Sequence, residues 1–330
     1  MSPKIAWFIP VKHRNYNAMS ASIWIRCLQL LPYLEERGIS CKVNEPDAEA
    51  DIAVFVRWQN ESALEIAQRQ KMQGRHIVFD LCVNYFDQTE LFKGGYGSIA
   101  ERVEECRRMA EIADVITCAS DFIARRASDF HPRAVYLPDS IDNRHFKFRK
   151  PEHDFRRVEL RAIWSGVSSK ANELESILPL LYRHGIPLVV ISDQKPRLSI
   201  DYRFVRWSYK TFPRRILDGE ICVAPRRVDN PYDRGHSLFK IGIFMAEGVP
   251  AIASPVPSYT EVIDDGKAGV LCQSQEEWEE ALRVAKNEQD ILTAWSGQAS
   301  EKMKRYYTEY IAEQYMALFK ELCPDELDRS

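Results

Sequence analysis

The 330-residue sequence is poor in the features that usually disclose a function early. Its eight cysteines, at 27, 41, 82, 106, 118, 222, 272 and 323, form no C-x-x-C pair and no His/Cys cluster at zinc-ligand spacing. That excludes a disulfide framework or a structural zinc as the organising principle and favours reduced thiols, several of them inside strands. No G-x-G-x-x-G follows a strand-like run, which removes a nicotinamide dehydrogenase. No D-x-D of the metal-using kind occurs, so no metal is expected. Positive charge is not in excess: the net charge is −3 and the pI is near 6.2, so nucleic acid is not the expected partner. No apolar run approaches the length that spans a bilayer. The opening "MSPKIAWFIPVKHRN" has a short apolar run followed by basic residues, the reverse of a secretory signal, and the expected compartment is the cytosol.

What is present is ordinary in bulk and regular in pattern. Apolar residues make up 45% and charged residues 28%, as in soluble globular proteins. The length exceeds what one core grows to, so two domains of about 150 residues each are expected. Strand-like runs ("KIAWFIP", "CKV", "DIAVFVRW", "HIVFDL", "VITCAS", "AVYLP") alternate with helical patterns at 20–38, 62–74 and 98–114. The charged segment 142–157 has no period and reads as a linker. After it the alternation resumes with "LRAIWSG", a helix at 169–185, "PLVVIS", "YRFVRW", a short helix at 211–218 and "ICVAP". An apolar helix and strand, "HSLFKIGIFMAEGVPAIAS", follow, then "SYTEVI", "GVL", a helix at 274–287 and a long amphipathic tail over 294–322. This string predicts an α/β protein of two Rossmann-like, doubly wound domains facing a central cleft: residues 1–150, residues 158–302 and a C-terminal helix over 303–330.

In parallel sheets ligands bind beyond the carboxyl ends of the strands, where helix N-termini point outward. Three junctions of the second half qualify. In "IWSGVSSKANEL", Gly166 ends a strand, Ser168 or Ser169 can cap the next helix, and Lys170 lies in its first turn, where a cation opposes the helix dipole unless an anion is bound. A phosphate contact and a solvated surface lysine are both open for Lys170. In "APRRVDNPYDRGHSLFK", Arg226 and Arg227 are cations suited to a diphosphate, and Ser237 reads as the N-cap of a helix with Lys240 one turn in. Leu238 lies between them at the helix start, whose free amides add donors. His236 precedes them as a catalytic candidate or a structural histidine. In "SPVPSYTEVIDDG", Ser258 and Glu261 have the spacing of a capping box, and Glu261 can instead bond a ligand hydroxyl. In the first half, Asp80 and Asn84 stand at and after the end of a strand, with Arg26 in the first helix. Asp80 is a candidate base or a contact for sugar hydroxyls, Arg26 and Asn84 are candidates for the acceptor side, and solvated loop positions are equally open for these residues.

The block "GHSLFKIGIFMAEGVPAIASPVPSYTEVIDDGKAGVL" resembles the C-terminal signature of retaining glycosyltransferases of family 4, which have the GT-B fold. The matching residues are Ser237, Lys240, Met245, Ala246, Gly248, Pro250, Glu261, Val262, Ile263, Asp265, Gly266, Gly269 and Leu271. The likeness extends in order to "ICVAP", "ADVITCASDFIA", "VYLPDSID", "VFDLCVNYFD" and "SIWIRCLQLLPYLEERG". It implies transfer of a sugar from a nucleotide donor, UDP- or GDP-linked, with retention of configuration and no further cofactor. The donor is expected on the second domain near Gly166, Lys170, Arg226, Arg227, Ser237, Leu238, Lys240, Ser258 and Glu261, and a glycan or lipid-linked acceptor on the first, in surface polysaccharide or glycoconjugate synthesis. By the same resemblance the tail helix packs back on the first domain. A peripheral contact with the inner membrane face is left open, as is the oligomeric state. Two departures stand out. Aligned through Met245 and Gly248, the places where the family commonly carries two glutamates hold His236 and Ile243. The glycine pair common before Glu-Val-Ile and the usual glycines of the N-terminal loop, "PVKHRNYNAMSAS", are missing. A non-catalytic glycan- or nucleotide-binding module on the same scaffold is the alternative.

Overall fold

The computed structural model describes residues 2–10, 21–87, 98–151, 159–263 and 266–324. Most of the N-terminal loop, residues 152–157 of the charged segment and Asp265 lie outside them. The chain divides into two compact units, one of Met1–Ser140, Asn230–Ser237 and Tyr306–Ser330, the other of Ile141–Asp229 and Leu238–Arg305.

The first unit holds strands β1 (Lys4–Phe8), β2 (Ser40–Val43), β3 (Ile52–Val56), β4 (His76–Leu81), β5 (Val115–Cys118) and β6 (Ala134–Tyr136), paired in the order β2-β1-β3-β4-β5-β6. Every pairing is parallel. Parallel sheets are covered on both faces, so central strands are continuous apolar runs: all five residues of β3 are buried, whereas the edge strand β2 is not. Each buried aliphatic or aromatic side chain there stabilises by about 1.5–3 kcal/mol.

The covering helices follow from their ends. The first helical stretch, expected unbroken over 20–38, is α1 (Ala21–Ile23), a π segment (Trp24–Leu28) and α2 (Leu31–Glu35), because Pro32 lacks the amide that would continue the ladder. Asn60 caps α3 (Glu61–Met72), accepting from the Ala63 amide. Ser98 and Glu101 form a reciprocal capping box on α4 (Ile99–Ile112). Ser120 caps α5 (Asp121–Ser128), a helix that the apolar periodicity does not announce.

The second unit holds β7 (Ala162–Ser165), β8 (Leu188–Ser192), β9 (Arg203–Arg206), β10 (Ile221–Ala224), β11 (Ala251–Ala253) and β12 (Gly269–Leu271), again all parallel, in the order β12-β11-β10-β7-β8-β9. The chain builds outward from β7 to β9 and returns to the other side of β7 at β10. That reversal is the Rossmann switch point, where the loops leaving β7 and β10 diverge and open a crevice. A nine-residue 3-10 segment, Ser168–Ser176, and α6 (Leu178–Arg183) replace the single helix expected over 169–185. Then come α7 (Phe212–Ile216), the short α8 (Pro231–Arg234) of the first unit, α9 (Phe239–Ala246), α10 (Pro257–Ile263) and α11 (Gln275–Asn287). Helix α9 stops at Gly248, whose φ of +82° suits a residue without Cβ.

The tail is two helices, α12 (Gln289–Met303) and α13 (Thr308–Leu322), rather than one. Leu292 and Trp295 of α12 enter the second unit's core. Ile311, Tyr315 and Phe319 of α13, four apart on one face, enter the first unit's core beside Trp7, whose ring centroid lies 6.0 Å from Tyr315 and 6.3 Å from Phe319. The chain has to break where the apolar stripe changes cores.

Under α13 lies a buried polar network that corrects two expectations. Asp80 is wholly buried, with Oδ1 accepting from Arg26 Nε at 2.9 Å and Oδ2 from Arg26 Nη2 at 2.8 Å, Thr117 at 2.7 Å and the Tyr315 hydroxyl at 2.7 Å. Arg26 is 1% exposed and donates also to the Leu137 carbonyl at 2.6 Å and to Asp139 at 3.3 Å. Burial opposes the Arg26 charge, but Asp80 outweighs it and holds the guanidinium protonated. Asp80 is therefore not a catalytic base, since its lone pairs are committed inside the core, and Arg26 does not face an acceptor. Removing one member of a buried pair strands the other: Arg26→Met is expected to cost about 3–5 kcal/mol, and Tyr315→Phe about 1 kcal/mol because Asp80 keeps its other donors. Urea denaturation checks this, and comparable losses for the two variants would contradict it.

Candidate functional site

At the carboxyl end of β7 the fully buried indole of Trp164 lies under the loop that begins at Gly166. A Cβ on Gly166 would stand 2.6 Å from two ring carbons of Trp164, so the loop closes over the ring only with glycine there. Lys240, the second residue of α9, places its Nζ 4.7 Å from the Trp164 ring centroid. The same Nζ donates to Glu173 Oε2 at 3.1 Å, and Arg226 Nη1 donates to Glu173 Oε1 at 2.7 Å. Arg226 stands two residues past β10, and its amide donates to the Ser254 hydroxyl just past β11 at 2.9 Å. The loops leaving β7, β10 and β11 thus meet at one group of charges: two cations and one carboxylate at the switch point.

These charges are largely out of water. The Arg226 side chain is 3% exposed, Lys240 16% and Glu173 18%. Burial, and then the charge of Arg226, pull the Lys240 ammonium down to about 8, with Glu173 opposing. Burial pushes the Glu173 carboxyl up, but Lys240 and Arg226 together, with Lys170, hold it below the usual carboxylate range. Burial raises the Cys222 thiol to about 12 and also raises the Tyr259 phenol, so neither titrates near neutrality.

The structure brings together Gly166, Arg226 and Lys240 from the residues singled out in the sequence. Lys170 is half-buried in the 3-10 segment and felt at Glu173, while Arg227 is exposed. The other donor-side expectations need correction. Neither Ser168 nor Ser169 caps the segment after β7. Its first amide, that of Ser168, instead donates at 2.7 Å to Asp193 Oδ1 from the end of β8, so a protein carboxylate already holds that position. Ser237 is not the N-cap of α9. Leu238 is, fully buried and in helical conformation with no side-chain cap, while the Ser237 hydroxyl belongs to the first unit and donates to Asp139 Oδ2 at 2.5 Å. Ser258 is not the N-cap of α10, because the helix starts at Pro257 and Ser258 lies buried inside it. Glu261 stands 4.0 Å from Arg305.

On the first unit, Asn84 is 1% exposed, with its amide nitrogen donating to Asp87 at 2.7 Å and its oxygen accepting from the Phe86 amide at 3.1 Å. Those bonds hold the loop after β4, which corrects the acceptor-side reading of Asn84. His236 lies on this unit too, half-buried, its ring 4.8 Å from that of Tyr232. Ile243 is buried in α9.

Sequence reasoning missed Trp164, Asp193, Ser254 and, most consequentially, Glu173. The single signal for Glu173 is an acid three residues after Lys170, which reads as a solvated helix face until the loops from β10 and α9 are brought over it. Among the described residues no group of three or more His, Cys, Asp or Glu side chains could hold a metal ion, and no helix is long and apolar enough to cross a membrane.

No protein-family model and no curated protein matches this chain. Solved structures do. A sucrose-phosphate synthase from Thermosynechococcus elongatus superposes with a TM-score of 0.72 at 14% identity, covering 99% of this chain and 100% of that one. HepE of Anabaena, in complex with UDP and glucose, gives 0.67 at 13% identity, covering 97% and 100%. A glycosyltransferase from Rickettsia africae gives 0.65 at 10% identity, covering 98% and 100%. At such identities the likeness speaks for the fold alone, and the fold of this chain is that of the GT-B glycosyltransferases.

Proposed function

We propose that this protein is a retaining, family 4-like glycosyltransferase that binds the diphosphate of a UDP- or GDP-linked sugar at Arg226 and Lys240. The observation that carries the reading is the convergence of these two largely buried cations at the β7/β10 switch point, where a parallel sheet seats its ligand. The presence of UDP and glucose in the HepE structure supports it. Chemically, the site suits departure of a nucleoside diphosphate. As the bond from sugar to phosphate breaks, negative charge grows on the leaving oxygen, and cations fixed in a poorly solvated place stabilise that charge more than the ground state. Arg226 and Lys240 supply this charge without a metal. A glycan or lipid-linked acceptor and a role in surface polysaccharide or glycoconjugate synthesis complete the proposal.

A specific observation keeps the alternative, a nucleotide-binding module without catalysis. Ile243 is buried and apolar and Asp80 is spent in the core, so His236 is the remaining candidate for a catalytic group among those singled out.

A thermal-shift screen with UDP, GDP, CMP, dTDP and ADP and their sugars tests the donor. A nucleotide at about a hundred times its dissociation constant stabilises its site by about 2.7 kcal/mol, and no shift with any of them sinks both readings. Lys240→Ala is expected to cost about 1.5–3 kcal/mol of nucleotide binding, the worth of a charge-assisted hydrogen bond, as read by calorimetry. His236→Ala should spare binding and lower turnover, and a fully active variant would remove His236 from the mechanism.

The sign of the pH effect follows from Lys240. Its ammonium titrates near 8 in the free protein, and only the protonated form attracts phosphate, so nucleotide affinity should weaken as pH rises from 7 through 9. Glu173 is already ionised there, and Cys222 and Tyr259 remain neutral. The same titration with Lys240→Ala should be flat, and a wild-type profile that is equally flat would refute the assignment.

A further inference from the structure

Charge is unevenly spread along this chain. The stretches 143–151 and 194–217 hold eleven lysines and arginines and one acid, Asp201, a local charge of +10 in a protein whose total is −3. The rest of the chain therefore carries −13. Both stretches belong to the second unit, and the fold lays them side by side. The His145 ring stacks on Tyr209 with centroids 4.0 Å apart, and Phe146 meets Phe212 edge to face at 6.0 Å. The Arg214 guanidinium lies 5.0 Å from the Phe148 ring centroid, and Lys150 Nζ donates to the Leu217 carbonyl at 2.8 Å. Ten of the eleven cations are exposed; the buried one is Lys150, which pairs with Glu220 at 2.9 Å. Asp218 answers Arg203 at 3.1 Å and Arg215 at 3.4 Å. Lys147, Arg206, Lys210 and Arg214 make no ion pair among the described residues. Half-buried Phe148, Trp207 and Tyr209 are interleaved with these cations.

We propose that this face of the second unit, centred on Lys147, Lys210 and Arg214, docks on the surface of an anionic lipid bilayer. Clustered lysines and arginines are drawn to anionic headgroups, and the long stems of such side chains let the charge reach them from a folded surface. Aromatic rings among the cations suit the headgroup level, where one side is apolar and the other wet. A bilayer meets one face and leaves the acidic remainder of the chain in water, so the charge segregation itself orients the protein. A long nucleic acid has no such preference for a single flat face. The loop after β9, which carries Trp207 and Lys210, leaves the same carboxyl edge of the parallel sheet as the loop of Arg226. The purpose of the contact rests on the lipid-linked acceptor of the reading above: it brings the donor edge of the sheet to the surface in which such an acceptor is held.

Sedimentation of the full chain with vesicles of phosphatidylcholine, and of equal parts phosphatidylcholine and phosphatidylglycerol, tests this. Wild type should bind the mixed vesicles and not the neutral ones, and release as salt is raised past the physiological range, where charges more than about 8 Å apart are screened. Each cation removed should weaken binding about fivefold, so Lys210→Ala loses about that much and the triple variant Lys147→Ala, Lys210→Ala, Arg214→Ala about a hundredfold. Lys147→Arg and Lys210→Arg keep the charge and should bind as wild type does. Circular dichroism melts and the nucleotide thermal shift accompany each variant and should not change. Equal binding to both kinds of vesicle, folded alanine variants that bind as wild type does, or tighter binding to a duplex DNA oligonucleotide than to the mixed vesicles overturns the proposal. Wild type that binds no vesicle but is stabilised by a nucleotide overturns this surface and leaves the donor site standing. Charge-dependent vesicle binding without any nucleotide shift does the reverse.

Discussion

The ion pairs from Glu173 to Arg226 and Lys240 tie three loops of the second unit into one place, and the site depends on them. Two largely buried cations stand close to each other at the switch point with a carboxylate between them. Trp164 supports the arrangement from below with its ring face under Lys240, and Gly166 leaves room for that ring. Without the carboxylate, the indole or the glycine, the charge cluster could not be assembled at this depth.

The first unit shows the same chemistry with the opposite outcome. Asp80 is buried more deeply than Glu173, but it takes a bidentate arginine and two hydroxyls and has nothing left to offer. Such a network orders the core and holds α13 on the sheet. What separates the two carboxylates is their place in the fold: Asp80 lies wholly inside the core, whereas Glu173 joins loops at the switch point where a parallel sheet seats its ligand.

The strands were legible almost one for one, because strands buried on both faces must be apolar and branched whatever surrounds them. β3 and β8 are the plainest cases. Helix ends were less so. Ser274 and Glu277 form a capping box on α11, whereas Ser258, at the same spacing from Glu261, is no N-cap, because the helix starts at Pro257, two residues before the expected Tyr259. The split of the tail was hidden, since no glycine or proline marks it. Nothing local to 304–307 says that the apolar stripe before it and the stripe after it enter different cores.

By itself the sequence determined the succession of strands, their alternation with helices that marks doubly wound domains, and the positions of Gly166, Arg226 and Lys240 at strand-to-helix junctions. These follow from apolar period and chain order, which are local properties. The tertiary structure decided which charges meet. Ser237 and Lys240 are three residues apart and serve different units, whereas Glu173 and Lys240 are 67 apart and share a hydrogen bond. The physical reason is that a buried charge takes its meaning from its partners in space, and those are set only when the sheet brings the loops of β7, β10 and β11 to the same edge.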